Sequence, residues 1–423
     1  MSFRPLLAAL CVTVSLVPSQ PLLAADKPMT LQETLRRVLS INPRLTAAER
    51  DIGIATGRRI QAGALPNPDI SAEVDNVAGS GPYSGTQSAE TTLQLGQLVE
   101  LGGKRAARIA IGSAGIEAAQ WQRAALRLEL LSEAASTYFT ALGAQRRIDV
   151  LGVQITGIDR LTPLLQRRVE AGASSPAETA RSIVAGDLVK AERERARVTL
   201  NGSRRELAAL MGLSSPDFGA LRGDLARIAS PPPFRTILNT LNDNPQLVRW
   251  TAVRAQRDAE LLAARLKAVP DVRVTAGWKH YRDTGDDAVR LGLSVQLPVF
   301  DQNRGGIIEA QEARSKADAE QNAARAALIL TLGRAYETMV GAVKELEILR
   351  SSAVPNAQRA LEAIESGYGQ GRYTLLEVLD AQSTLAQASL REVEALVSFH
   401  TAVAVLEGLT GVPVIFGQRG RSR

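Results

Sequence analysis

The sequence has almost none of the residues that make covalent or metal cross-links. Of 423 residues, one is cysteine and two are histidine. With only Cys11 available, no disulfide framework is possible. His280 falls at the end of a strand pattern and His400 within a helical one, and neither has a His or Cys neighbour in sequence. A tight metal site is therefore not expected, and no cofactor is implied. Aromatic residues make up 4%. No basic patch is interleaved with them, which argues against nucleic-acid binding. Beyond the first 25 residues there is no apolar run of 18; the nearest, 395–409, contains His400, Thr401 and Glu407. Helical spanning of a membrane is thereby excluded, whereas a β-barrel, whose strands are short and half apolar, is not. Gly102-Gly103-Lys104-Arg105 is no phosphate loop, because Leu98 and Arg105 stand where that motif needs Gly and Ser or Thr. Gly367-x-Gly369-x-Gly371 has the wrong spacing for a dinucleotide site. No Ser-His-carboxylate spacing stands out, so an enzyme is the least supported class.

At 45% apolar and 22% charged, the composition is that of a folded protein. Residues 1–25 have the order of a secretory signal: Arg4, an apolar stretch from Leu6 to Val17, then Ala24-Ala25. Leu10 is too bulky for lipoprotein cleavage before Cys11. Removal of the signal leaves 49 basic and 44 acidic residues, a small and scattered excess.

The remainder is a tandem repeat. Asn42-Pro43 recurs as Asn244-Pro245 and Pro68-Asp69 as Pro270-Asp271, both at an offset of 202. Arg105, Gly172, Glu178 and Gly212 recur as Arg304, Gly371, Glu377 and Gly411 at 199. The expected units are 26–230 and 231–411, joined near the stiff Ser230-Pro231-Pro232-Pro233 segment, with a tail at 412–423. Each reads as helix, two strands, long helix, turn and return helix. The first opening helix is expected over 31–65 and the second over 234–268. Strands are expected over 69–76 and 91–101, then 271–281 and 288–300, where apolar and polar residues alternate. Long helices are expected over 104–171 and 302–370, with return helices over 176–212 and 374–410. Pro163 and Pro355 are expected to kink the two rods. A helix of 68 residues is about 100 Å long. The return and opening helices together match that length if stacked end to end. Such rods must lie side by side.

Four strands cannot close a barrel, yet a sheet in lipid must close because unpaired edges are costly there. If the strands span a membrane, several chains share one barrel; two would supply eight strands and three twelve. On the last strand the outward set is wholly aliphatic, while the inward set is Arg290, Gly292, Ser294 and Gln296. Trp278, Tyr281, Tyr83 and Phe300 sit near strand ends, as an aromatic belt would. The bland alternative is a soluble hairpin with one buried face.

The chain resembles the TolC-like outer-membrane efflux family. Thr30-Leu31-x-Glu33-x-Leu35 followed by Asn42-Pro43 is similar to its opening signature. The segment from Gln97 to Arg105 looks like the strand-to-helix junction of the cobalt-zinc-cadmium, or CzcC-like, branch. The segment from Gly371 to Asp380 is similar to the family's helical tip. The resemblance implies a mixed α/β membrane protein, mainly long helical hairpins, whose four strands contribute to a trimeric twelve-stranded barrel in the outer membrane. It implies a helical tunnel in the periplasm, a periplasmic adaptor and a proton-driven inner-membrane pump.

Glu377 and Asp380 share a helix face one turn beyond Gly371. In the family, the acids at the matching positions line the closed entrance, so these two are expected at a pore constriction; the bland reading is a solvated helix face. In the first unit Glu178 matches Glu377, but Arg181 replaces the second acid. Arg181 is expected either to pair with Glu178 or with second-unit acids, or to be an ordinary surface charge. The turns offer Arg168, Val169, Gly172, Ala173, Ser174, Gly371, Arg372 and Tyr373 for adaptor docking, although any helical hairpin needs such turns. Gly102, Gly103, Lys104 and Arg105 are expected to form a flexible strand-to-helix junction near the membrane surface.

The leading expectation is a passive conduit for divalent metal cations. Drug or small-organic efflux and type I secretion suit the same architecture. A periplasmic coiled-coil adaptor is the alternative from another class; it would lack the alternating strands.

Overall fold

The computed structural model describes residues 27–412. The signal segment 1–25 and the tail beyond Val412 lie outside the described residues. A two-residue strand, β1 (Met29–Thr30), leads into α1 (Leu31–Ile41) and α2 (Pro43–Ala62). The hairpin β2 (Asp69–Asp75) and β3 (Glu90–Val99) precedes the rod α3 (Lys104–Glu170) and its return α4 (Pro176–Leu210). The strand β4 (Leu221–Arg222) runs parallel to β1. Then come α5 (Phe234–Thr240), α6 (Pro245–Leu266), β5 (Val272–Tyr281), β6 (Asp287–Val295), α7 (Arg304–Ile348), α8 (Val354–Gly369) and α9 (Leu375–Thr410).

The opening helix, expected to be unbroken over 31–65, is two helices, and Asn42 is the reason. Its Oδ1 accepts from Arg44 N at 2.8 Å, capping α2, and Pro43 takes the first helical position, where no amide is needed. Its Nδ2 donates to Leu210 O at 2.7 Å, satisfying the end of α4. One side chain thus caps two helices and stacks α2 on α4. Asn244 does the same for α6, accepting from Gln246 N at 2.6 Å and donating to Leu409 O of α9. It likewise splits the second opening helix, with α5 before it and α6 after.

The second rod, expected over 302–370 with a kink at Pro355, is interrupted beside that proline. A wide π turn, Leu349–Ala353, separates α7 from α8. Pro355 has no amide proton for the helical ladder and crowds the preceding turn, and the wider turn absorbs the misfit. Pro163 lies inside α3 with no change of helix type. Strand ends are also shorter than expected. β3 stops at Val99 because Leu101 N donates to Asp271 Oδ1 at 3.0 Å instead of to a strand. β6 stops at Val295, before Pro298, which cannot donate to a ladder.

The helices form a layer ordered α2 with α4, then α3, then α6 with α9, then α7 with α8. Averaged over 18 residues, the stretch 304–369 and α9 reach mean hydropathies of 1.2 and 1.3, enough for a membrane span by composition, where none was expected. Packing explains α9, which lies between α3 and α7 with 56% of that window buried. The 304–369 window is only 28% buried, and α7 and α8 form one outer flank of the layer.

The main core gathers where α1, α3, α4, α9 and the segment after α4 meet, around Tyr138, Phe218, Leu207, Met211 and Phe399. His400 belongs to it, stacked on Phe139 at 4.4 Å with Nε2 3.0 Å from Leu225 O, and burial holds its pKa low. The Tyr138 hydroxyl sits between the carbonyls of Met29, at 3.0 Å, and Arg222, tying β1 and β4 to the rod. Burial pushes its pKa up to about 12. Tyr138→Phe is expected to cost about 1–3 kcal/mol, because the one hydroxyl proton shared between these two carbonyls is lost and a buried carbonyl is left without its donor; thermal melting reads this. The contribution is full below the ordinary tyrosine value near 10 and disappears as pH rises through about 12. Absorbance titration should accordingly show one phenol ionising only near that pH.

Candidate functional site

The four long strands form one antiparallel sheet ordered β2-β3-β5-β6, and β3 against β5 joins the two halves of the chain. Residues directly opposite in an antiparallel sheet share a face. The rows Ile70–Leu95–Ala276–Leu291 and Ala72–Leu93–Trp278–Val289 therefore make one apolar face, which Val274 and Leu293 continue. It lies open: Ile70 is 76% exposed, Val289 80%, Leu291 79% and Leu293 72%. Each such side chain gains about 1.5–3 kcal/mol on leaving water. The opposite face has the rows Ser71–Gln94–Gly277–Arg290 and Glu73–Thr92–Lys279–Ala288. Ion pairs Asp69–Arg273 and Glu90–Lys279 cross it. Trp278, Tyr83 and Phe300 are exposed near the strand ends. His280 Nδ1 lies 2.9 Å from Asp287 Oδ1 beside the outer turn.

The junction residues connect the sheet to the rods. Gly102 and Gly103 have φ of +71° and +82°, which a residue with a Cβ rarely adopts. Lys104 Nζ lies 2.8 Å from Asp271 Oδ2, so the first rod is tied to the foot of β5. Arg105 Nε donates to Gly63 O at 2.7 Å and Arg108 Nε to Ala62 O at 3.1 Å, satisfying the last carbonyls of α2. Arg108 also pairs with Glu100. The flexible junction expected from sequence is held on both sides. Its basic side chains bond a helix end and an aspartate. In the second half Asn303, at φ +54°, donates through Nδ2 to Ala264 O at 2.8 Å and so reaches the end of α6. Asp271, Glu100 and Arg108 were not singled out from sequence; the repeated Pro-Asp dipeptide was the available signal for the first.

At the far end, Leu161 and Leu165 of α3 pack with Leu375 and Val378 of α9, which brings both hairpin turns together. Gly172 and Gly371 reverse the chain at φ +65° and +75°, and a Cβ at either would meet no atom within 4 Å. Arg168, Gly172, Ala173, Gly371, Arg372 and Tyr373 are exposed there, with Val169 and Ser174 partly so. The Arg168 guanidinium lies over the Tyr368 ring at 5.5 Å.

Glu377 is occupied locally. Thr374 Oγ1 accepts from Glu377 N, and the Glu377 carboxylate accepts from Thr374 N at 2.7 Å and Thr374 Oγ1 at 2.8 Å. This is a capping box, and the backbone amide and hydroxyl of Thr374 hold the Glu377 pKa below its ordinary value. Glu178 is similarly engaged, accepting from Ser174 Oγ, while Ser175 caps α4. Within the single chain Arg181 pairs with neither Glu178 nor a second-half acid and stands as an exposed surface charge, the third of the expected alternatives. Among the described residues Arg181 and Asp380 make no ion pair within the chain, and both are exposed.

The family pattern described as Outer membrane efflux protein matches residues 34–213 and again 236–412. The cobalt-zinc-cadmium resistance protein CzcC of Cupriavidus metallidurans is 29% identical over 397 residues, 94% of this chain and 93% of its own. The nickel-cobalt-cadmium resistance protein NccC of Alcaligenes xylosoxydans is 28% identical over 333 residues, 76% of this chain and 75% of its own. Among solved structures, a membrane protein from Pseudomonas aeruginosa superposes with a TM-score of 0.77 at 19% identity, over 90% of this chain and 93% of the other. The shared fold is a set of helical hairpins with a few strands that contribute to a common barrel.

Proposed function

The chain belongs to the outer membrane efflux protein family, and from that premise we propose that it is the outer-membrane channel of a tripartite export system carrying divalent metal cations. As a family member it is a passive conduit with its helical part in the periplasm. The observation that carries the channel reading is the sheet. One face is exposed and aliphatic, the other is polar, and both edges, β2 and β6, are unpaired among the described residues. The helix layer is open on the corresponding flanks, α2 with α4 and α7 with α8. Copies of the chain placed side by side cover the edges and the flanks together. Three copies make twelve strands, and we take the assembly to be a homotrimer in outer-membrane lipid. The cargo rests on the metal-resistance proteins among its relatives. Deleting the gene should lower tolerance to cobalt, zinc and cadmium. A strain that instead becomes sensitive only to dyes and drugs would move the assignment to small-organic efflux.

In this reading Glu377, Asp380, Glu178 and Arg181 line the periplasmic entrance. The two turns dock a periplasmic adaptor that links the channel to a proton-driven inner-membrane pump. The open space around Gly172 and Gly371 supports docking, because only a second molecule would meet a side chain placed there. Phe at both positions should abolish metal efflux while assembly persists. Asn, which tolerates positive φ, should preserve the turn and retain part of the activity. Unchanged efflux in the Phe variant would rule docking out.

A further inference from the structure

We propose that the seams between neighbouring copies in the barrel are locked on the lumenal side by ion pairs from Arg290 on β6 to Glu73 and Asp75 on β2 of the next copy. The inference rests on the reading above that copies share one barrel. It comes from the distribution of charge on the polar face of the sheet. Every charge that the inner strands β3 and β5 carry on this face is paired within the chain: Arg273 with Asp69, and Lys279 with Glu90. Glu73, Asp75 and Arg290 make no salt bridge or hydrogen bond among the described residues, and all three are exposed; Asp75 only senses Lys279 at longer range. These three lie on the two outermost strands, acids on one edge and the base on the other.

Closing a barrel from copies of this sheet sets β6 of one chain against β2 of the next. Only shifts by an even number of residues keep the aliphatic face outward, since a single-residue slip would turn it into the lumen. Arg290 stands level with Ser71 across the sheet, on the same face as Glu73 and Asp75. Those acids lie one and two side-chain steps further along β2. Barrel closure staggers strands along one another, and such a stagger carries the long Arg290 side chain to one acid or the other. The same charges oppose wrong closure. β2 against β2 would juxtapose acids, and β6 against β6 would juxtapose arginines, so the ring is steered toward head-to-tail assembly.

Paired cysteines test this in the full-length chain, in a Cys11→Ser background that leaves no other thiol. Arg290→Cys combined with Glu73→Cys or with Asp75→Cys should give covalent oligomers on mild oxidation. Neither single variant should, because the two positions lie on opposite edges of one chain's sheet. Arg290→Glu should lower the temperature at which the SDS-resistant oligomer dissociates, and adding Glu73→Arg with Asp75→Arg should restore it. If the wild-type oligomer is captured by chemical cross-linking, yet neither cysteine pair links and Arg290→Glu melts like wild type, the seam proposal is overturned and the shared barrel stands. A wild-type chain that stays monomeric in detergent removes the shared barrel itself.

Discussion

Leu291→Arg is expected to remove the protein from the outer membrane, whereas Gln94→Arg leaves it there. Leu291 lies in mid-strand on β6, in the row Ile70–Leu95–Ala276–Leu291, and is 79% exposed in the single chain. An arginine facing lipid at the bilayer midplane costs about 2–4 kcal/mol, repeated in every copy of the barrel. Gln94 is in the neighbouring row but on the polar face, with Ser71, Gly277 and Arg290. A charge there meets water. The heat-sensitive oligomer in outer-membrane fractions, measured for both variants, reads the difference. Equal loss in both, or in neither, would mean that the apolar face does not meet lipid.

In the proposed channel, neutralising Glu377 and Asp380 should change conduction rather than assembly. The double variant Glu377→Gln/Asp380→Asn, reconstituted in a planar bilayer, should show a several-fold fall in cation over anion preference and a higher open probability, because rings of acids attract cations and repel one another. The single variants should separate. Asp380 has no partner within the chain among the described residues, so Asp380→Asn should carry most of the selectivity change. Glu377 is engaged with Thr374, and Gln can still accept from Thr374 N, so Glu377→Gln should weaken the first turn of α9 only modestly and change selectivity less than Asp380→Asn. The pH dependence follows from the lowered pKa of Glu377. Its charged form is the capping form, so the cap is complete above the ordinary glutamate value and is lost as pH falls through the depressed one. Acidification should therefore remove the charged Glu377 cap only at a pH below the ordinary glutamate range, and a double variant indistinguishable from wild type would remove both acids from the entrance.

The junction and the tips show how far sequence pattern reaches. Asn42-Pro43 and Asn244-Pro245 stand out as repeated dipeptides and mark helix starts by ordinary capping chemistry. Their second role, reaching Leu210 O and Leu409 O more than 160 residues away, depends on which helix end lies beside them. Lys104 and Arg105 announce a basic junction, yet their partners, Asp271 and Gly63 O, come from elements brought there by folding. Glu377 three residues after Thr374 is a local pattern, and the capping box it forms needs nothing beyond that spacing. The π turn at Leu349–Ala353 has a local cause in Pro355, although Pro163 in the other rod shows that proline alone does not dictate it.

Alternation of apolar and polar residues, the spacing of the repeat and the extent of the helical pattern determined the kinds of element, their order and the membrane class, because these follow from backbone period and local steric preference. Which strand stands at which edge, which flank of the helix layer is left open and which charges remain unpaired were decided only by the tertiary structure. Those properties depend on contacts between residues far apart in the chain, and no local pattern encodes a partner's position.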